Sequence, residues 1–119
     1  MNSTTGAAEI ARAVGNGDTT ARAVVIAALA RIEANNGRVN AFTDVTSARA
    51  MARAEAVDAE VRAGKALPLA GVPFAVKNLF DLKGVTTRAG SRINRDNAPA
   101  FADAVLVGRL EAAGAGCVG

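Results

Sequence analysis

The chain of 119 residues contains no histidine, tryptophan or tyrosine, and its aromatic content is four phenylalanines. It has one cysteine, Cys117. Each shortage closes a class of chemistry. A single cysteine excludes an intrachain disulfide, and without histidine no Cys/His zinc cluster can assemble; no metal or other cofactor is expected. Proteins that bind single-stranded nucleic acid set aromatic platforms beside a basic groove. Here those platforms are missing, and the net charge of +3 comes from 14 basic and 11 acidic residues, most of them interspersed. Direct nucleic-acid binding is therefore not expected. Long apolar runs are absent too. The longest, Ala23 to Ala30, falls far short of the roughly 20 residues that cross a bilayer. The N-terminus lacks the basic-then-apolar pattern of a signal segment. These absences predict a soluble, cytoplasmic protein with no membrane partner.

What is present is half apolar and dominated by alanine and valine. That composition builds closely packed helices and strands but supplies few of the bulky anchors that let a small domain stand alone. Residues near 6–14 read as a helix stopped by Gly15-Asn16-Gly17. A second helix is predicted from an N-cap at Thr19 to about Ala34, with Val25, Leu29 and Ile32 on one face and Asn35-Asn36-Gly37 as its end. A third runs from a cap at Asp44 or Thr46 to Ala63, with Gly64 as terminator. Its alanines at 48, 52, 56, 59 and 63 form a stripe of small residues suited to close packing.

The pattern changes after residue 66. Val72–Val76 is too short for a buried helix and suits a buried strand, although Pro73 belongs at a strand's start or edge. Residues 78–100 read mostly as loop. A fourth helix follows from about Asp103 to Ala113, with Leu106, Leu110 and Ala113 on one face, and Cys117-Val118 begins another strand. Strand, connection with helix, then strand implies a parallel, right-handed crossover. The fold expected is α/β: an N-terminal helical layer over residues 1–66, then the first strand-loop-helix-strand portion of a mixed or parallel sheet over 67–119, truncated at its C-terminal end.

Lys77 directly follows the first apolar strand. In open α/β sheets ligands bind beyond the carboxyl ends of strands. A lysine partly desolvated there loses its proton more easily, and the neutral amine can act as a base. The alternative is a surface lysine lying over the sheet edge or pairing with Asp81. On spacing alone this second reading is the better one.

Three stretches bear on that choice: LAGVPFAVKNLFD over residues 69–81, GVTTRAGS over 84–91 and ADAVLVGRLEAAGA over 102–115. In order and spacing they resemble the amidase signature family, and RVNAFTD over 38–44 fits as well. The resemblance covers nearly the whole chain. It implies hydrolysis of linear amide C–N bonds by a nucleophilic serine, a bridging serine and a lysine, with Lys77 as that lysine. Neutral Lys77 would deprotonate the bridging serine, which activates the nucleophile, and backbone N–H groups of a glycine-rich loop would stabilise the oxyanion. Both serines are expected from a segment past Gly119. Ser91 lies in a different block, and Ser3 and Ser47 have no such context. The Lys77-Asn78-Leu79-Phe80-Asp81 run departs from the Lys-Asp-Asn pattern common in the A subunit of glutamyl-tRNA amidotransferase. With residues 91–99 it looks more like the AtzE-type amidohydrolases, which act on small urea-like or carboxylated amides. Lys83, Arg88, Arg92 and Arg95 would suit an anionic substrate if their loop edges the pocket, but a solvated basic loop is the simpler account of most of them.

The partners implied are a small amide substrate and a second copy or a small partner subunit. Two other readings stand beside this one: the A subunit of an amidotransferase, and a non-catalytic remnant or helical interaction module. The strands at 72–76 and 117 would lack most of their sheet in an isolated chain, and open edges invite association. The isolated 119-residue chain is therefore expected to associate and to melt without cooperativity. A cooperative thermal transition from a monomeric sample, checked by light scattering, would contradict this.

Overall fold

A computed structural model describes Asn2 and residues 4–119; Ser3 lies outside the described residues. Four α-helices and a short parallel sheet follow in the order α1 (Ala7–Gly15), α2 (Ala21–Val39), α3 (Ser47–Arg62), β1 (Pro73–Phe74), α4 (Val105–Ala112) and β2 (Gly116–Cys117). A 3-10 turn at Arg92–Asn94 interrupts the long loop before α4. No helix among the described residues is long and apolar enough to cross a membrane.

The helical layer is held by side chains that serve as backbone caps. Helix α1 ends at the predicted Asn16-Gly17 stop. Helix α2 begins one residue later than predicted, with Thr20 rather than Thr19 as its cap: the Thr20 hydroxyl accepts from Ala23 N–H at 3.0 Å. The Asp58 carboxylate, reaching across from α3, accepts from Ala21 and Arg22 N–H at 2.7 and 3.1 Å. A negative group at a helix N-terminus satisfies its unpaired N–H groups and opposes its dipole favourably. The predicted stop at Asn35-Asn36-Gly37 does not end α2, which continues to Val39 before Asn40 turns left-handed at φ 50°. Asn36 stays helical because its side chain has another task. It accepts from Phe42 N–H at 2.8 Å and donates to Phe42 carbonyl at 3.1 Å, folding the chain back after the helix.

Helix α3 packs mainly on α2 and also contacts α1 and β2. Its buried face is Ala50, Ala54 and Val57. The predicted stripe at 48, 52, 56, 59 and 63 is exposed throughout. Both stripes have helical spacing, but only one carries valine, with Val61 partly buried at its end. Burying branched side chains removes more apolar area than burying alanine, so that face turns inward. The end at Gly64 (φ 85°) is as predicted.

Strands β1 and β2 are parallel, with Pro73 opposite Gly116 and Phe74 opposite Cys117. Backbone bonds extend the pairing at both ends, from Leu69 N–H to Ala113 carbonyl (2.8 Å) through to Val76 N–H to Gly119 carbonyl (2.8 Å). Val72 and Phe74 offer their carbonyls to β2. Pro73 lies between them with its missing donor turned away, which is how a strand tolerates proline. Gly71, at φ 70°, lies against α1 and α2; a β-carbon there would stand 2.9 Å from Val14 Cγ2. Successive strand residues point to opposite faces. Val118 joins the core made with α1, α2 and α3, whereas Cys117 joins a second core with Leu82 and Val107.

Helix α4 begins at Val105, two residues after the predicted start, and its buried residue is Val107. The predicted face of Leu106 and Leu110 is instead 54 % and 37 % exposed. The sheet approaches α4 from the Val107 side only, and nothing among the described residues covers the opposite side.

One ionic cluster joins the layers. Arg49 of α3 holds both Asp103 oxygens and both Glu111 oxygens at 2.8 Å, and Arg53 donates to Glu111 carbonyl at 2.7 Å. Asp103 also accepts from Lys83 N–H at 2.8 Å. The hydrogen bond from Arg49 is the main reason that the Asp103 carboxyl titrates below its ordinary range. Bidentate pairs of this kind are stronger than neutral bonds, though partial solvent access limits their net effect. In an amidase-signature chain of full length that carries these residues, Arg49→Met should lower stability by about 1–3 kcal/mol, measured by urea unfolding. The pH dependence has a defined sign. Because the folded-state pKa of Asp103 is depressed, its contribution is present above the unfolded carboxylate pKa of about 3.9 and is lost as pH falls through the lower folded value. The Arg49→Met protein should lose most of that acid-side slope.

Candidate active site

Beyond the carboxyl end of the sheet lies a concavity of about 580 Å³, walled by residues 41–44, the loop from Ala75 to Phe80, Leu82, Val85, Thr87, Ala89, Gly90 and Gly119. Lys77 lies on this wall, three residues past β1 and immediately after Val76, which makes the ladder bond to Gly119. Its carbonyl accepts from Leu79 N–H at 2.7 Å and Phe80 N–H at 3.1 Å, so the strand passes directly into a tight turn. The Lys77 main chain is thus fixed on both sides. Its side chain is exposed, the surface placement that spacing alone favours, and no described residue closes over it. The alternative pairing with Asp81 is not formed: Asp81 instead accepts from the Thr87 hydroxyl at 2.6 Å.

Asn78 links two walls. Its side-chain oxygen accepts from Arg88 N–H and Ala89 N–H, its amide nitrogen donates to Thr86 carbonyl at 3.2 Å, and its own carbonyl accepts from Ala89 N–H at 2.8 Å. Ala89 is held at φ 50°, a left-handed conformation unusual for a residue with a β-carbon. On the opposite wall, Asp44 contributes a carboxylate, with the Thr43 hydroxyl 3.3 Å from it. Thr46 fixes the approach of this segment. Its N–H donates to Val118 carbonyl at 3.0 Å and its hydroxyl to Cys117 carbonyl at 3.0 Å, so it does not cap α3 with its side chain. Gly119 packs beneath Phe42, where a β-carbon would come within 2.5 Å of the ring.

The other candidates fall elsewhere. Lys83, Arg88, Arg92 and Arg95 do not line the concavity, although their loop edges it through Thr87, Ala89 and Gly90. Arg95 leans toward Asp96 at 3.8 Å, and Lys83 uses its main-chain N–H on Asp103. The Ser91 hydroxyl accepts from Ile93 N–H at 3.4 Å, and Ser47 is an exposed first residue of α3. Cys117 is fully buried, and burial pushes its thiol pKa up, consistent with a core position. In the sequence, Asp44 reads as a helix cap and Asn78 as a subfamily marker. Their common location depends on the fold-back held by Asn36 and on the 78–89 loop closure, neither of which has a periodic signal.

The Amidase family profile matches residues 23–119. The chain is 56% identical over 112 residues to the AtzE subunit of 1-carboxybiuret hydrolase from Pseudomonas sp. (strain ADP), covering 93% of this chain and 24% of that protein. It is 52% identical over 97 residues to the A subunit of glutamyl-tRNA(Gln) amidotransferase from Anaeromyxobacter dehalogenans (strain 2CP-C), covering 81% of this chain and 20% of that one. Among solved structures, an inhibitor-bound vestigial protein complex bearing on the evolutionary origins of an s-triazine catabolic enzyme superposes with TM-score 0.93 at 54% identity, over 97% of this chain and 25% of that one. Native peptide amidase from Stenotrophomonas maltophilia gives 0.86 at 30% identity, over 98% and 24%. The chain therefore spans about a quarter of the length of these relatives.

Ala89 supplies a direct test of the wall geometry. Glycine adopts its left-handed conformation without the β-carbon clash. Ala89→Gly should be neutral or raise stability by up to about 1 kcal/mol, whereas alanine-to-glycine changes in ordinary conformations lower it. A loss above about 1 kcal/mol in urea unfolding of an amidase chain of the relatives' length that carries these residues would contradict the left-handed assignment.

Proposed function

This chain belongs to the amidase family, and on that premise we propose that it forms the N-terminal part of a hydrolase of linear amide C–N bonds, with Lys77 as the catalytic base. The observation that carries this is the position of Lys77: on the wall of the concavity, immediately after the last ladder bond of the parallel sheet. The nucleophilic and bridging serines are assigned to a part of such an enzyme outside these 119 residues, a reading supported by the absence of Ser47 and Ser91 from the cavity lining. In the reaction, neutral Nζ of Lys77 takes the proton of the bridging serine, which takes that of the nucleophile. The nucleophile oxygen attacks the amide carbon, the C–N bond breaks, and the amine leaves with the proton that Lys77 returns through the bridging serine. Water then cleaves the acyl-enzyme ester.

The substrate class is small urea-like or carboxylated amides. The 56% identity to the AtzE protein supports this, as does asparagine rather than aspartate after the lysine. That relative is one subunit of its hydrolase, which supports a small partner protein here too. The A subunit of an amidotransferase is the second reading, supported by the 52% match.

In an amidase chain of the relatives' length carrying these residues, Lys77→Ala should lower amide turnover by a factor between about 10² and about 10⁴. Circular dichroism and the thermal transition should stay unchanged. Turnover near that of the unsubstituted enzyme would overturn the assignment.

A further inference from the structure

We propose that Asn78 is a positioning residue of this site: its side chain ties the Thr86–Ala89 turn to the Lys77 turn and so fixes the separation of two cavity walls. The inference rests on the reading of Lys77 given above.

The hydrogen-bonding demand at this point is specific. Two N–H groups, of Arg88 and Ala89, converge on one atom, and a carbonyl, of Thr86, lies beside the other atom of the same planar group. Only a carboxamide offers an acceptor and a donor together in that arrangement. The donors and acceptor also fix which way the Asn78 amide points. Aspartate would keep the two acceptor contacts but set a carboxylate oxygen against the Thr86 carbonyl. Glutamine would push the same group outward by a methylene, and alanine would leave Arg88 N–H without its partner.

The turn being held is stiff in itself. The Thr86 hydroxyl donates to Asn97 carbonyl at 2.9 Å, Asn94 donates to Arg88 carbonyl at 3.0 Å, and Ser91 N–H donates to the same carbonyl at 2.9 Å. It therefore moves as a unit, and its place relative to Lys77 depends on the tethers to the 77–81 loop. There are three: the Asn78 side chain, adjacent to Lys77; the main-chain bond from Ala89 N–H to the Asn78 carbonyl, which no side-chain substitution removes; and the Thr87–Asp81 bond, at a residue four past Lys77. Asn78 is the tether that acts at Lys77 itself. Thr87, Ala89 and Gly90, which follow its contact with Thr86, form the wall that shares the cavity with Lys77. The left-handed Ala89 is held by the same residue, through its carbonyl and its side chain together.

The test uses the complete amidase chain carrying these residues, unsubstituted and as Asn78→Ala, Asn78→Asp and Lys77→Ala. Amide exchange at Arg88 is the direct readout, because the Asn78 side chain is its acceptor, whereas Ala89 N–H keeps the main-chain carbonyl in every variant. In the unsubstituted enzyme the Arg88 amide should be protected; exchange there at the rate of an open chain overturns the proposal, whatever the variants do. In Asn78→Ala that protection should be lost. kcat should fall between about tenfold and about a hundredfold, as expected of a displaced catalytic group, with a smaller change in KM. Asn78→Asp, which keeps the acceptor, should retain Arg88 protection and recover part of kcat. Lost Arg88 protection with kcat unchanged would reduce Asn78 to a structural tie and overturn the positioning role. If Lys77→Ala remains active, the catalytic reading of Lys77 fails on its own, and Arg88 exchange still decides whether the tether exists.

Discussion

The backbone pairing of residues 69–76 with 113–119 is the constraint on which the remaining structure depends. It supplies the partition on which two cores are built, with Val118 and Cys117 facing opposite ways from neighbouring positions. It also decides where the chain must leave the sheet, since the bond from Val76 to Gly119 is the final rung before Lys77. With so few aromatic residues, the chain has no large side chain to centre its packing. Regular backbone pairing takes that role, and alanine, valine and glycine let the layers approach closely.

Between the layers, long-range polar contacts substitute for bulk. Asp58 closes the start of α2 from α3, Thr46 joins the start of α3 to the end of β2, and Arg49 spans α3, the loop and α4. Asp58 and Thr46 satisfy backbone groups that would otherwise be left unpaired at an element's end, and Arg49 pairs two carboxylates across the layers. The site inherits this scheme. Its walls come from separate segments, and asparagine and threonine side chains, not secondary structure, set their spacing.

Much of this was readable in the residues. Element order, the parallel crossover, the stops at Asn16-Gly17 and Gly64, and the buried face of Val25, Leu29 and Ile32 follow from local pattern and turn chemistry. So does the position of Lys77 after the first strand. The failures have physical reasons. The alanine stripe of α3 and its true face have the same period, and branched volume at Val57 decides between them. Asn35-Asn36-Gly37 has the composition of a stop, yet Asn36 spends its side chain on Phe42, and α2 runs on. Leu106 and Leu110 are as apolar as any core pair, but the sheet reaches α4 from the Val107 side. The ion cluster of Arg49 joins residues 54 and 62 positions apart, a separation beyond any periodic signal.

Pro73 makes the two edges of β1 unequal. Residues 72 and 74 point their carbonyls at β2, so residue 73 presents its backbone to the other side of β1, where it can accept but not donate. A strand arriving on that side meets a ladder with a missing rung. A strand whose own pattern needs no donor at that rung can be accommodated, while an indiscriminate one binds less well. The same proline that leaves the β2 pairing intact therefore removes one backbone donor from the outer edge of β1.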